Sequence, residues 1–332
     1  MKSVLITGAQ QREGALELGD GKQYQAALLL RLNLDTGEVS ELIQKSDGGE
    51  NYPDEYPNIE FTAGCLCDHE LYLCTDTEIF IYKYPELELI TCISHPAFQN
   101  IHHVYPRNED ILIANTGLDM IVRLDKKSHE IMEYMNVQHK DAWHRFDQKV
   151  DYRKVHSTKP HDSHPNYVFE FNDSIWATRC IQKDAVNLSD SNDKIDVNSD
   201  SNAVIHDGIV QDGKIYFTSV DGHVIIVDQK TKKVLEKINL NIIEKSRSPL
   251  GWCRGLHIEN DHALVGFTRL RKTKIKENVR WVKHFVKGDS KVLNTRVVLY
   301  DLKSKQKVRE FAMPAEKIHA IYSILSEPNS KI

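Results

Sequence analysis

Histidine recurs at one place in a repeated pattern along this 332-residue chain. Aligning the short apolar segments that open each repeat puts Ala63, His102, His164, His206, Arg254 and His319 at one common position, although the whole chain contains only 16 His. Imidazoles gathered on one axis are costly to charge or to leave unpartnered. Such a cluster therefore points to a metal, a bound anion or a reacting group. In the run Asp162-Ser163-His164-Pro165-Asn166, His164 and Asn166 are two residues apart, which puts both on one face of a strand. The next apolar segment ends in Thr178-Arg179, so Arg179 is expected at the same mouth. His103, beside His102, together with Arg254 and His319, completes a set suited to holding a substrate. A neutral imidazole such as that of His206 can act as a nucleophile and split a group transfer into two steps. Arg179, Asn166 and the flanking imidazoles would then neutralise and hydrogen-bond an anionic group, and a second His could take up a proton.

These residues need a ring of strands to bring them together, and the repeat supplies one. Alternating apolar residues, a polar turn and a second short strand recur at Leu29 to Val39, Ile121 to Ile131, Val224 to Val234 and Val297 to Val308, with weaker copies at Ile79 to Ile90 and Ala185 to Val197. Each copy reads as a β-hairpin closed by Asp, Asn, Gly or Thr, and another pair of strands precedes it. Four short strands per unit of about 40 residues mark a propeller blade. The fold class predicted is all-β, a six-bladed β-propeller forming one domain over 1–332. Its blades fall at 317–326 plus 1–44, 57–94, 99–137, 160–198, 202–240 and 251–313. Lys317 to Ile324 matches a first strand with no second after it, and Ser3 to Gly8 matches a second strand with no first before it. The ring should therefore close by pairing the C-terminal strand with the N-terminal strands.

The Asp-x-His-x-Asn run with its distal Thr178-Arg179 resembles the active-site blade of bacterial arylsulfotransferases, six-bladed propellers that move a sulfuryl group between phenols without a nucleotide donor. That resemblance implies a His in the preceding blade, here His102, and in the following blade the His that becomes sulfated, here His206. Cys253-Arg254-Gly255-Leu256 with Val265-Gly266-Phe267-Thr268 is similar to a group of uncharacterised cytoplasmic bacterial propellers. The expected substrate is small and anionic or phenolic, with no cofactor. A competing reading uses His102, His164, His206 and His319 as ligands for Fe, Cu or Zn, which imidazole suits; a third makes the propeller a ligand-binding or scaffolding module without catalysis. Arg254 beside a dication would be repelled, which favours the anion.

Two insertions interrupt the blades, at 138–160 and 268–296. The first is rich in His, with His139, His144 and His156, and enters the blade of His164 just ahead of His161, so it is expected over the channel mouth. Between Thr268 and Arg296 stand ten Lys or Arg against Glu277 and Asp289, a solvated face, a basic rim or a docking surface for an acidic partner. Residues 187–202, rich in Ser, Asp and Asn, read as an exposed loop. A net charge of -5 argues against nucleic acid as a partner. No apolar run reaches the roughly 18 residues that span a bilayer. With no secretory leader pattern at the start and six Cys read as reduced, a cytoplasmic protein is expected.

Overall fold

The computed structural model describes residues 2–15, 17–197, 203–246, 248–270 and 293–327. Alternating side chains pair into six four-stranded antiparallel sheets arranged around a channel, the six-bladed β-propeller that the repeat implied. Blade 2 contains β4 (Ala63–Cys67), β5 (Glu70–Cys74), β6 (Glu78–Lys83) and β7 (Glu88–Ser94). Blade 3 contains β8 (Ile101–Pro106), β9 (Asp110–Asn115), β10 (Met120–Asp125) and β11 (Ile131–Asn136). Blade 4 runs through β12 (Pro165–Phe171), β13 (Ser174–Arg179), β14 (Asp184–Asn187) and β15 (Asp190–Asp196). Blade 5 has β16 (Ile205–Gln211), β17 (Lys214–Ser219), β18 (His223–Asp228) and β19 (Val234–Asn239). Blade 6 has β20 (Trp252–Glu259), β21 (His262–Thr268), β22 (Arg296–Asp301) and β23 (Gln306–Ala312). Blade 1 closes the ring, because β24 (Ala320–Ser326) forms its inner strand beside β1 (Ser3–Gln11), β2 (Tyr24–Asn33) and β3 (Val39–Lys45). The exposed loop expected over 187–202 gives way in part to strand, since Asp190–Asp196 pairs with β14 as the blade's outer edge.

Four of the outer hairpins share one local cause. Asn33 Oδ1 accepts the amides of Asp35 and Thr36 at 2.9 Å each, and Asp125, Asp228 and Asp301 cap the corresponding turns of blades 3, 5 and 6. Each is a side-chain mimic of a backbone turn, available only to a short polar residue. Packing between blades joins alternate faces of neighbouring sheets: Leu112, Ala114 and Ile121 of blade 3 meet Val168, Ala177 and Val186 of blade 4, all fully buried. Burying an aliphatic side chain of this size contributes about 1.5–3 kcal/mol, so the interfaces hold the blades in register. Among the described residues, no helix is long and apolar enough to cross a membrane.

The inner strands are where the ladder departs from regularity. Pairing with the second strand slips at Ile101/His103, Pro165/Tyr167, His206/Ile209, Cys253/Leu256 and Thr7/Gly8, while β4 pairs with β5 without a break. A bulge adds an unpaired residue and re-aims a side chain. His102, Asn166, Asp207, Arg254 and Tyr322 all fall within these slips; the regular strand carries only Ala63.

Candidate functional site

The channel opens at one end into a cavity of about 470 Å³. His102, His161, His164, His206, Arg254 and Tyr322 line it, so imidazoles from three blades and the Arg254 guanidinium converge. Below them lies a narrow extension of about 30 Å³ that His102, His206 and Arg254 also border. In an antiparallel blade the first strand starts, and the second strand ends, at the same face, so the interblade links and second hairpins all gather at this mouth.

Several expected residues sit elsewhere. His319 precedes β24 and accepts the Gln11 amide on Nδ1 at 2.7 Å, outside the cavity lining. Tyr322 takes the sixth place on the channel wall: the strand begins at Ala320, and its bulge falls at Tyr322. Strand register also separates His164 from the His102 position, since Ile101 opposes Asn115 as Pro165 opposes Arg179, which makes Asn166 the equivalent of His102. Asn166 is buried and donates to the Ile205 carbonyl at 2.6 Å, bordering the lower extension only. Arg179 does not reach the mouth. Its guanidinium is clamped by Asp184 at 2.8 and 2.6 Å and donates to the Val137 carbonyl at 2.9 Å, buried between blades. His103 is absent from the cavity wall and borders the lower extension only, stacked on Tyr167 at 3.6 Å between ring centroids, and burial pushes its imidazole down to about 3.

The imidazoles that do meet are held neutral. Burial, and then the nearby Arg254 charge, keep His102 and His206 well below the usual imidazole range. Burial and then His102 do the same to His164, and burial takes His161 down to about 4. All four therefore carry a lone pair at neutral pH. Arg254 is fixed across the ring seam: its Nε donates to the Ile321 carbonyl at 3.1 Å and its guanidinium lies 3.8 Å from the Tyr322 ring centroid. The face of the cation is spent on an aromatic ring. Asp207, on the next bulge residue after His206, is pushed up to about 6 by burial.

His161 and His164 come from the loop ahead of β12, a part of the chain that sequence periodicity cannot place. Asp119, itself in the left-handed region at φ 55, fixes that loop. Its carboxylate accepts the amides of Asp162, Ser163 and His164 at 2.8, 2.9 and 2.7 Å, and pairs with Arg145 at 2.9 Å. His164 is forced to φ 56 there, which turns its ring into the channel 4.8 Å from the His102 ring centroid. His102 Nε2 is in turn 3.1 Å from Asn100 Oδ1.

The insertion at 138–160 does reach the mouth. His156, Ser157, Lys159 and Pro160 line the cavity, and the segment is tied across to blade 1 by Lys159–Asp20 at 3.1 Å and His156–Gly21 at 3.4 Å. Most of the basic run expected over 268–296 lies outside the described residues. Of its flanks, Arg269 lines the cavity, whereas Arg296 is buried, donating to the Leu250 carbonyl at 2.6 Å over the Phe267 ring. Sequence reading passed over Glu60, Asp76, Trp252 and Tyr322, which complete the wall. Asn58 bridges the two carboxylates, at 2.6 Å to Glu60 and 2.9 Å to Asp76. The period-two spacing of Asn58 and Glu60 ahead of β4 was the available signal. Among the described residues, no group of three or more His, Cys, Asp or Glu is spaced to hold a metal ion as the side chains stand.

The class defined by these observations is a six-bladed β-propeller with an imidazole-lined channel. No protein-family model matches the sequence, and no curated protein aligns with it. Among solved structures, the chain is similar to a protein of unknown function from Bacteroides caccae, with TM-score 0.62 and 11% identity over 98% of this chain and 99% of that one. It is also similar to a putative 6-phosphogluconolactonase from Bacteroides fragilis, with TM-score 0.54 and 9% identity over 94% and 82% of the two chains. At these identities the likeness is one of fold.

Proposed function

We propose that the channel transfers a small anionic group, a sulfuryl group in the first instance, between hydroxyl compounds through a covalent intermediate on His206. The observation that carries this reading is the meeting of neutral His102, His164 and His206 with Arg254 in one cavity. A neutral imidazole is a competent nucleophile, whereas an imidazolium is not. Arg254 is the one guanidinium shared by the cavity and its lower extension, and it places a positive charge beside the imidazoles where an anionic group would sit. His206 would displace the phenolate of the donor ester, forming an N–S bond as the O–S bond breaks. The acceptor oxygen then attacks sulfur as the N–S bond breaks, a second imidazole takes the acceptor's proton and releases it to solvent, and the phenolate freed in the first step leaves as the anion. Arg179 and Asn166 have structural partners and take no part in this scheme.

The test is incubation with 4-nitrophenyl sulfate and a phenol acceptor, followed by peptide mass spectrometry. Release of nitrophenolate with sulfated acceptor is expected, and a sulfuryl adduct on the His206 peptide when the acceptor is withheld. His206→Ala should lower transfer by at least about 100-fold. No adduct and no transfer from any aryl sulfate would overturn the reading.

A further inference from the structure

The loop imidazole His161 occupies a position that the transfer scheme does not use. Its Nδ1 lies 2.7 Å from His164 Nδ1, and its Nε2 lies 3.3 Å from Thr158 Oγ1. Two imidazole nitrogens at that separation must share one proton, because two bare lone pairs repel and two N–H groups clash. Which ring supplies it is settled further along the chain of contacts.

Thr158 has a single hydroxyl proton, and two acceptors compete for it: the Gly117 carbonyl at 2.5 Å and Gln99 Oε1 at 3.2 Å. The Gln99 amide nitrogen is turned to the carbonyls of Val155 and His156, at 3.3 and 3.5 Å, which leaves its oxygen facing Thr158. The hydroxyl therefore donates to one of these oxygens and presents a lone pair to His161. His161 must carry its proton on Nε2, so its Nδ1 is bare. The shared proton then belongs to His164 Nδ1, and His164 Nε2 on the far side of that ring is a lone pair with no hydrogen-bond partner among the described residues. The ring lines the cavity.

We infer that Thr158 and His161 are positioning residues that lock the tautomer of His164, leaving its Nε2 as the base that takes the acceptor's proton. The logic is that of an oriented base whose second nitrogen is held by a third group, with an imidazole and a hydroxyl in place of a carboxylate. A neutral orienter stabilises an imidazolium less than a carboxylate does, so the proton taken by His164 is released readily to solvent before the next turnover. The role as base rests on the proposed transfer, but the tautomer does not.

The measurement is a multiple-bond ¹⁵N–¹H correlation spectrum of protein labelled at histidine nitrogen. His164 is expected with Nδ1 protonated and Nε2 bare, and His161 with the reverse. Thr158→Val keeps the shape and removes the acceptor, so both patterns should be lost or reversed; Thr158→Ser should restore them. In the transfer assay Thr158→Val should lower kcat about tenfold with KM little changed. A His164 protonated on Nε2 in the wild type, or a tautomer unmoved by Thr158→Val, overturns the inference without any variant having to be active. The expected tautomers in a protein without transfer activity would uphold the locking chain and overturn the role as base together with the transfer scheme.

Discussion

At Arg179 every guanidinium nitrogen is engaged by Asp184 or the Val137 carbonyl. Taking away one member of a buried ion pair leaves the other charge in a poor solvent, a cost of about 3–5 kcal/mol. Arg179→Met is therefore expected to lower the urea unfolding free energy by about that amount. Refolded Arg179→Met should retain the affinity of the channel for an aryl sulfate. Loss of affinity in a fully folded variant would show that Arg179 reaches the site after all. The contrast with Arg254 is instructive: both are arginines at blade seams, but Arg254 lines the cavity while Arg179 contacts only protein. Residue type alone could not distinguish the two, because the distinction lies in what each guanidinium faces: Asp184 clamps Arg179, whereas Arg254 lies over the Tyr322 ring at the cavity wall.

Among elements, the inner-strand bulges and the loop ahead of β12 do most to build the site. The hairpin repeat was legible in the sequence, since Asn33, Asp125, Asp228 and Asp301 stand at the same place in their turns and period two governs the strands between. The ring of His was legible at His102 and His206, which lie on inner strands. It was misread at His319, because the inner strand begins only at Ala320 and Tyr322 holds the channel-facing place three residues further on, an offset that apolar alternation does not mark. His161 and the contacts of Thr158 were hidden for a different reason, since a loop shaped by Asp119 has no periodicity to read. The insertion also meets blade 1 closely. Gly21 sits at φ +74, and a Cβ there would come within 1.8 Å of the His156 carbonyl oxygen. Gly21→Ala is expected to push the two segments apart, and hydrogen exchange should quicken at residues 138–164 while the blades stay protected. Unchanged exchange in that insertion would mean that the contact does not hold the mouth.

For the molecule as a whole, closure depends on a strand from each end of the chain. Glu327, just after β24, accepts from Arg31 at 2.8 Å and from the hydroxyls of Ser3 and Tyr84, so the last described residue is bonded to blades 1 and 2. The pairing of β24 with β1 completes blade 1, and the ring's stability is shared among six interfaces of similar kind. That is why the fold could be read from a few repeated turns while the chemistry could not: the repeat specifies the scaffold six times over, and the site only where copies deviate from one another.

The seam between Ser3 and Glu327 also bears on chain order. With Ser3 and Glu327 already in contact on the face opposite the mouth, a short peptide could join β24 to β1 and a new opening could be cut elsewhere, for example in the turn at Asp35 to Gly37, without breaking any inner-strand pair. Such a permuted chain should reach the same ring with its channel chemistry intact. The blades would then be interchangeable starting points, with the order of synthesis immaterial to the site. A permutant that folds only with the original ends would instead make closure of β24 on β1 an obligatory last step.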